Sequence, residues 1–415
     1  MSAGVRNYLI VTASYWGFTL VDGALRMLVL FHFFKLGYSP FTLAFLFLLY
    51  EFAGILANLG GGWLAVRFGI PRMLAAGQAL QVAGLVMLSM LDPGWTIVAS
   101  VTWVVAAQGI AGLAKDFTKT ASKSAIKATS DEGAGQLFSW VAWFTGSKNA
   151  MKGIGFFLGG LLLDVLGFRG ALWLMAFLIG LIFFAGLLLP RDLGKAKASK
   201  SMRELFAKSS GVNLLAAARI FLFGARDVWF VVGLPVFLYS AGWTFVQAGA
   251  FLAAWTIAYG GIQAIAPRFV RRSPDGLTTE VPAARLWSLV LVAIPLALAL
   301  LLALPGLPRP DLVLVIGLTL FGFPFAINSS LHSYLILAYA GSKKAAEDVG
   351  FYYAANATGR LFGTLMSGVL YQLAGIGGCL LGSAGVLAAC WAITLLLPSR
   401  ISDHAGDLAA ERAQA

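Results

Sequence analysis

The chain alternates between long apolar runs and short polar connections along almost its whole length. About 20 consecutive apolar residues form a helix long enough to cross the hydrocarbon core of a bilayer. Counting windows of this length predicts twelve spanning helices, at residues 8–33, 42–66, 73–91, 95–127, 136–164, 169–190, 212–239, 245–270, 285–305, 311–338, 347–373 and 377–398. The pattern therefore predicts an all-α integral membrane protein.

The longest polar connection lies between the sixth and seventh predicted helices and is strongly basic. It divides the chain into two halves of six helices each. The predicted organisation is a six-helix N-terminal half, a basic cytoplasmic linker, a six-helix C-terminal half and a cytoplasmic tail, at residues 1–190, 191–211, 212–398 and 399–415.

The composition excludes a water-soluble fold. Of the 415 residues, 59% are hydrophobic and 12% are charged, whereas a soluble domain averages about 25% charged residues. The net charge of +12 is concentrated in loops on one predicted side of the membrane. Those loops carry Arg67, Arg72, Arg191, Lys195, Lys197, Lys200, Arg203, Lys208, Arg268, Arg271, Arg272, Arg285, Lys343 and Lys344. Basic loops stay in the cytoplasm, so we expect both termini there and no nucleic-acid partner.

The two halves also resemble each other in sequence. Residues 18–45 align with 223–251, and residues 152–174 align with 360–382. The matched pairs are Asp22 with Asp227, Lys152 with Arg360, Gly155 with Gly363, Gly160 with Gly368, and Gly167 with Gly375. A six-helix unit repeated in parallel describes the major facilitator fold. The segment GGWLAVRFGIPR (61–72) resembles the loop signature of that superfamily, with Val66 where an acidic residue is usual.

Ionisable side chains lie near the middle of several predicted helices, where each is costly unless it is paired or hydrated. Eight are basic and four are acidic: Arg26, Lys115, Lys119, Lys148, Lys152, Arg219, Arg226 and Arg360, and Asp22, Glu51, Asp116 and Asp227. If every acid pairs with one base, four positive charges remain. This surplus predicts an anionic substrate.

Some of these charges have a structural explanation. Asp22 and Arg26 are four residues apart on one helix and can form an ion pair with each other. Arg226 and Asp227 are sequence neighbours whose side chains do not face each other, but each can pair across helices. A structural ion pair and a substrate role remain open for these four residues.

Other basic residues favour a role in function. Lys148 and Lys152 share one face of the fifth predicted helix, with no acid at helical spacing. Arg360 holds the repeat-related position in the other half and can bind a phosphate or carboxylate through two parallel hydrogen bonds. Arg219 adds a further basic group, and Asn328 is a weaker polar candidate for the same substrate-binding role.

The three carboxylic acids Asp22, Glu51 and Asp227 are the candidates for proton coupling. A carboxylate that changes partner between two conformations can load and release a proton.

The segment KDFTKTASKSAIK (115–127) places Lys115, Lys119, Lys123 and Lys127 at four-residue steps along the fourth predicted helix. Lys123 and Lys127 are expected to reach water or lipid headgroups. Lys115 and Lys119 lie deeper, so we expect them to form the cytoplasmic mouth of a basic path that attracts an anion.

Four segments together resemble the ArsJ family of organoarsenical efflux permeases. They are RNYLIVTASYWGFTLVDGALRMLVL (6–30), GIAGLAKDFTKTASKSAIK (109–127), TGSKNAMKGIGFFLGG (145–160) and AARIFLFGARDVWFVVGLPVFL (217–238). The resemblance extends over residues 6–398. It implies a transporter in the bacterial inner (plasma) membrane that exports 1-arseno-3-phosphoglycerate and so confers arsenate resistance.

The same resemblance implies a functional link to glyceraldehyde-3-phosphate dehydrogenase, which makes this ester when arsenate replaces phosphate. The resemblance further implies that Arg26 and Arg226 correspond to the arginines on helices 1 and 7 of related phosphate-ester exchangers. Membrane lipid is the other expected partner.

Two other functions remain open from the residues alone. An antiporter of sugar phosphates or another organic anion would use similar basic groups. A membrane-bound enzyme would need a nucleophile, an acid and a base in one place, and the sequence contains no HExxH motif, phosphate loop or metal-ligand cluster. We therefore expect a transporter with alternating access, driven by proton antiport, with no enzyme activity and no cofactor.

Overall fold

The computed structural model describes residues 3–129, 134–190, 209–270, 273–340 and 345–399. It describes their side chains except those of residues 3–5, 8, 60–67, 123–129, 134–146 and 345–349. Val66, Lys123 and Lys127 therefore lie outside the described side chains, and most of the predicted linker and tail lies outside the described ranges.

The described part of the chain is all-α, as the sequence predicts. The helices are α1 (Ala3–Lys35), α2 (Pro40–Phe45), α3 (Leu48–Phe68), α4 (Ile70–Ser89), α5 (Ile97–Thr129), α6 (Ala134–Gly186), α7 (Ser210–Phe230), α8 (Gly233–Ser240), α9 (Phe245–Ile265), α10 (Glu280–Leu302), α11 (Pro310–Tyr339) and α12 (Ala345–Leu395).

Nine helical stretches in the described residues are long and apolar enough to cross a membrane. The two longest helices each contain a break, at Gly167 in α6 and at Ala374–Gly375 in α12. Both breaks lie in the connections that the sequence predicts. The predicted number of twelve spans is recovered only when α6 and α12 are divided at these breaks and α4 is included.

The glycines at the two breaks are the repeat-related pair of the sequence alignment. Gly167 has φ 67° and Gly375 has φ 59°. Only glycine adopts this left-handed region without a steric penalty from a Cβ atom. The internal repeat therefore preserves the residue that lets the chain reverse between two helices.

By packing, the described residues form two compact units. The first contains the described residues of Met1–Lys200 and of Gly242–Gly260, and the second contains those of Ser201–Ala241 and Gly261–Ala415. Most of α9 belongs to the first unit because it packs closely on α6. A Cβ at Gly160 would lie 2.6 Å from the Phe245 carbonyl oxygen, and a Cβ at Gly249 would lie 2.8 Å from the Phe156 carbonyl oxygen.

In the first unit, α1 and α6 approach so closely that their backbones touch. A Cβ at Gly155 would lie 3.0 Å from the Gly23 Cα atom, and one at Gly23 would lie 2.6 Å from the Lys152 carbonyl oxygen. Small residues at such crossings are typical of helices that pack in lipid.

In the second unit, α7 and α12 pack in the same way, with Gly363 at the crossing. A Cβ at Gly363 would lie 2.8 Å from the Asp227 Cβ atom. At the α1–α6 crossing of the first unit, the residue that faces Gly155 in this way is Gly23. If the two glycines are equivalent, Asp227 corresponds to Gly23. The alignment of Asp227 with Asp22 is therefore displaced by one residue in the packed structure.

The seventh predicted helix is interrupted at Val231–Val232, which the sequence does not indicate. The break leaves the N–H groups of Val232 and Gly233 without helical partners, and the Ser367 hydroxyl accepts from both at 3.1 Å. Ser367 is fully buried on α12. Irregular backbone at membrane depth is tolerated where protein groups satisfy it in this way.

Candidate functional site

In the first unit, α1 and α3 bring together two buried pairs. Arg26 Nη1 lies 3.0 Å from Glu51 Oε1, and the Tyr50 hydroxyl donates to Asp22 Oδ1 at 2.5 Å. The predicted alternative of an Asp22–Arg26 ion pair is therefore wrong. The two side chains have four-residue spacing, but each finds a partner on the neighbouring helix instead.

Arg26 retains unused hydrogen-bonding capacity although it is only 8% exposed. Its Nη2 atom is buried and has no hydrogen-bond partner among the described residues. The guanidinium carbon lies 5.2 Å from the centre of the Phe47 ring and 5.7 Å from that of the Tyr50 ring. A buried donor without a partner carries a free-energy cost that an incoming acceptor would relieve.

Lys115 and Lys119, the deeper two of the four regularly spaced lysines on α5, both contact Asp116. Lys119 Nζ lies 2.9 Å from Asp116 Oδ1 and 2.7 Å from Asn58 Oδ1, and Lys115 Nζ lies 3.6 Å from Asp116 Oδ2. Asp116 is 1% exposed. Two ammonium groups therefore share one carboxylate, which leaves this cluster with a net positive charge.

Close approach of α3 and α5 places this cluster. A Cβ at Gly54 would lie 2.9 Å from Asp116 Oδ2, and a Cβ at Gly112 would lie 2.9 Å from the Tyr50 Cα atom. Both glycines therefore provide the space in which the polar side chains of the two helices meet.

Lys148 and Lys152 lie on α6 and are both partly buried. Lys152 Nζ is 5.6 Å from the centre of the Phe156 ring. Beside Lys148, the Ser147 hydroxyl accepts from Trp16 Nε1 at 2.8 Å, which joins α6 to α1. Their roles in substrate binding stay predictions.

In the second unit, Asp227 lies between two arginines. Arg226 Nε donates to Asp227 Oδ1 at 2.7 Å, and Arg360 Nε lies 3.4 Å from Oδ2. The sequence argument that neighbours cannot pair fails for Arg226, because its long side chain folds back onto the adjacent carboxylate. The predicted pairing across helices is formed by Arg360. This cluster also carries one positive charge more than its acid.

Arg219 is a buried cation that contacts neutral groups. It is 5% exposed. Its Nε donates to Asn356 Oδ1 and its Nη1 donates to the Ser329 carbonyl oxygen, each at 3.0 Å. Its guanidinium carbon lies 3.9 Å from the centre of the Phe223 ring. Among the described residues no carboxylate pairs with Arg219, so its charge is not neutralised.

Asn328 lies on α11 next to Ser329, whose carbonyl oxygen contacts Arg219, but the Asn328 side chain contacts a different helix. Its Nδ2 donates to the Ser288 hydroxyl of α10 at 2.9 Å. The adjacent Ser329, not Asn328, contacts Arg219 and also accepts from Gln263 at 3.0 Å. The amide nitrogen of Asn328 therefore joins α11 to α10. The substrate-binding role predicted for Asn328 stays a prediction.

Residues 8–346 match the family model described as Major Facilitator Superfamily. The chain belongs to this superfamily. Comparison with curated protein sequences gives no significant match. Membership of the Major Facilitator Superfamily, together with the apolar helices, indicates a multi-pass membrane transporter rather than an enzyme.

Solved structures similar to this chain support the major facilitator fold. A POT family transporter in complex with a thioalcohol-conjugated peptide has a TM-score of 0.71 at 12% identity, with 94% of each chain covered. The human organic anion transporter MFSD10 (TETRAN) has a TM-score of 0.63 at 16% identity, with 95% of this chain and 100% of that chain covered. The nucleoside transporter NupG has a TM-score of 0.72 at 16% identity, with the same coverage as MFSD10.

Three polar residues that contact the charged side chains of the site are not among the sequence predictions: Tyr50, Asn58 and Asn356. The spacing along the helices would have indicated two of them. Asn58 is seven residues after Glu51, and Asn356 is four residues before Arg360, so each shares a helix face with a charged residue. The sequence signal for an uncharged polar side chain in a membrane helix is weaker than that for a charge, although each of these three side chains hydrogen-bonds to a charged residue.

Proposed function

We propose that this major facilitator protein is a secondary transporter of an organic anion, and that it exports the arsenate ester 1-arseno-3-phosphoglycerate in exchange for protons. The observation that carries the proposal is the excess of positive charge in two clusters of the described structure, where Asp116 and Asp227 are each shared by two partly buried cations. Glu51 forms an ion pair with one arginine, Asp116 forms ion pairs with two lysines, and Asp227 forms ion pairs with two arginines.

Buried positive charge without a matching carboxylate is expensive in a membrane unless an anion compensates for it at some stage of the working cycle. Within the described part of the chain, Arg219 donates to neutral acceptors only, and the buried Arg26 Nη2 atom has no hydrogen-bond partner. Arginines of this kind bind phosphate-like oxyanions through charge-assisted hydrogen bonds. A neutral or cationic substrate would leave this charge pattern unexplained.

The choice of cargo rests on the resemblance of the long segments around Arg26, Lys115, Lys152 and Arg226 to organoarsenical permeases. An arsenylated phosphoglycerate carries an oxyanion at each end, which suits a protein with separate basic clusters. Glyceraldehyde-3-phosphate dehydrogenase would supply the cargo, and the bacterial inner membrane, with both termini in the cytoplasm, is the proposed location. The similarity in fold to an organic anion transporter is consistent with this class of substrate.

Of the three candidate carboxyls for proton coupling, Asp22 has the most suitable surroundings. Glu51 and Asp227 each contact arginine. Asp22 instead accepts a hydrogen bond from the neutral Tyr50 hydroxyl and is 6% exposed. Protonation of Asp22 therefore separates no ion pair among the described residues, which distinguishes Asp22 from Glu51 and Asp227.

Uptake into inside-out vesicles tests the proposed cargo. We expect arsenic to accumulate only when labelled arsenate is supplied together with glyceraldehyde 3-phosphate, NAD and the dehydrogenase. Accumulation of arsenate alone would contradict the organoarsenical proposal and indicate a plain oxyanion carrier. If neither condition gives accumulation while the same vesicles exchange a sugar phosphate, the protein is an organophosphate antiporter, which is the second candidate function.

A second prediction concerns the α6 lysines. Replacing Lys148 or Lys152 with glutamine is expected to raise the apparent KM for the arsenylated cargo by about 10-fold or more, because a charge-assisted hydrogen bond contributes about 1.5–3 kcal/mol. The measurement is initial arsenic uptake as a function of cargo concentration, at matched protein levels. Exposed Lys35 provides a control, and Lys35→Gln is expected to leave KM unchanged. Unchanged KM in both α6 variants would remove these lysines from the binding site.

A further inference from the structure

Tyr50 connects two clusters that the proposed function treats separately. It lies on α3, is 5% exposed, and is held against α5 at Gly112. Its hydroxyl donates to Asp22 Oδ1 at 2.5 Å. The face of its ring lies under the ammonium group of Lys115, with Nζ 3.9 Å from the ring centre.

The two contacts of Tyr50 use different parts of the side chain. The hydroxyl has one proton to donate, and it donates that proton to the carboxylate of Asp22. The ring attracts the Lys115 ammonium through its quadrupole, which requires the cation to stay over the ring face. A rigid phenol cannot move at one end without moving at the other.

We propose that Tyr50 is a positioning residue that couples the protonation of Asp22 to the placement of Lys115. The inference rests on the proposed function, in which Asp22 takes the proton and Lys115 attracts the anion. When Asp22 gains a proton, its charge is lost, and the charge-assisted hydrogen bond from Tyr50 becomes a weaker neutral one. The phenol then shifts, and Lys115 loses the ring face that holds it.

This arrangement gives the coupling that antiport requires. An anion that binds better with Asp22 in one charge state must, by reciprocity, shift the affinity of Asp22 for the proton by the same factor. The charged and titratable groups around Asp22 include Arg26 on its own helix, Tyr50 and Glu51 on α3, and Lys115 on α5, and the Lys152 backbone of the adjoining α6 packs against the neighbouring Gly23. Among them, Tyr50 is the residue that contacts both Asp22 and Lys115 in the described structure.

Two substitutions separate the two contacts. Tyr50→Phe removes the hydroxyl and keeps the ring, whereas Tyr50→Leu removes both. For arsenic uptake in the inside-out vesicles, we expect Tyr50→Phe to keep KM within about 2-fold and to lower the maximal rate by about 10-fold or more, because one buried hydrogen bond is lost. Tyr50→Leu is expected to raise KM by about 10-fold as well, because Lys115 loses its support.

Tyr38→Phe is the matched control, since the Tyr38 ring packs edge-on against Phe33 and its hydroxyl makes no hydrogen bond to the described residues. Both kinetic constants of this variant are expected to equal those of the wild type. A Tyr50→Phe variant with wild-type KM and wild-type maximal rate would overturn the proposal. Equal losses in Tyr50→Phe and Tyr50→Leu would also overturn it, because the ring would then have no role of its own.

A second measurement does not depend on the cargo. The melting temperature Tm of the purified protein is compared for Asp22→Asn, Lys115→Met and the double variant, each with Tyr50 and with Tyr50→Leu. We expect the two substitutions to be non-additive by about 2 °C or more with Tyr50 present and additive without it. Equal non-additivity in both backgrounds would refute the link. Wild-type vesicles that fail to transport arsenic would refute the proposed function alone, and the Tm comparison would still decide the role of Tyr50.

Discussion

Replacing Asp227 with asparagine is expected to remove most of the folded protein from the membrane and to abolish transport. Asp227 is 1% exposed, and both Arg226 and Arg360 contact its carboxylate. Removing one partner of a buried ion pair costs about 3–5 kcal/mol, because it leaves uncompensated charge in a medium that cannot solvate it. The measurement is the amount of protein in isolated membranes, together with its Tm in detergent.

A second substitution shows whether charge balance is the cause. Arg360→Gln in the Asp227→Asn background removes one of the two stranded cations, so we expect it to recover part of the lost Tm. Arg309→Gln serves as the exposed control, because the Arg309 side chain is 67% exposed in its pair with Asp311. Such pairs contribute about 0–1 kcal/mol. If the double variant is no more stable than Asp227→Asn alone, the carboxylate has a role other than balancing the two arginines.

The fold could be predicted from the sequence because its signals are local or repeated. Apolar runs of bilayer length give the helices. The repeat-related glycines Gly167 and Gly375 give the two breaks, since glycine adopts a positive φ without a steric penalty from a Cβ atom. The number of spans is harder to read from the structure, because α6 and α12 continue through their breaks and α4 is not counted, so the described residues contain nine separate spanning stretches.

The partners of the buried charges could not be predicted in the same way. Helical spacing suggested that Asp22 would pair with Arg26, but spacing along one helix says nothing of what a neighbouring helix offers. Glu51 and Tyr50 are adjacent on α3, and Glu51 accepts a hydrogen bond from Arg26 whereas Tyr50 donates one to Asp22. The break in the seventh predicted helix was missed for the same reason, because Ser367 on α12 satisfies the backbone there.

The register of the repeat shows a further limit of the sequence. An alignment that matches Asp22 with Asp227 maximises chemical likeness, whereas the contacts at Gly155 and Gly363 match Asp227 with Gly23. Arg226 then corresponds to Asp22. The two units therefore use the same helix crossing with acidic and basic residues in different places, and the charge clusters have to be understood separately in each unit.

Adding a single methyl group at Gly155 is expected to prevent the first unit from packing. In Gly155→Ala the new Cβ would lie 3.0 Å from the Gly23 Cα atom and would overlap the Leu20 carbonyl oxygen. Backbone atoms cannot rotate away as a side chain can, so α1 and α6 must separate. Overpacking of this kind costs about 1–3 kcal/mol, and separation of the helices also disturbs the contacts of Asp22 and Arg26.

The matched control is Gly180→Ala in the segment of α6 that follows the break at Gly167, where a Cβ would meet nothing within 4 Å. An open helical site gains up to about 1 kcal/mol from this substitution, since alanine is the better helix former. The two variants are therefore expected to change Tm in opposite directions, with Gly155→Ala lower and Gly180→Ala equal to or above the wild type. Arsenic uptake should be lost only in the first. Equal Tm values for the two would mean that the α1–α6 crossing is looser than the contacts at Gly155 require, and that the positions of Asp22 and Arg26 do not depend on it.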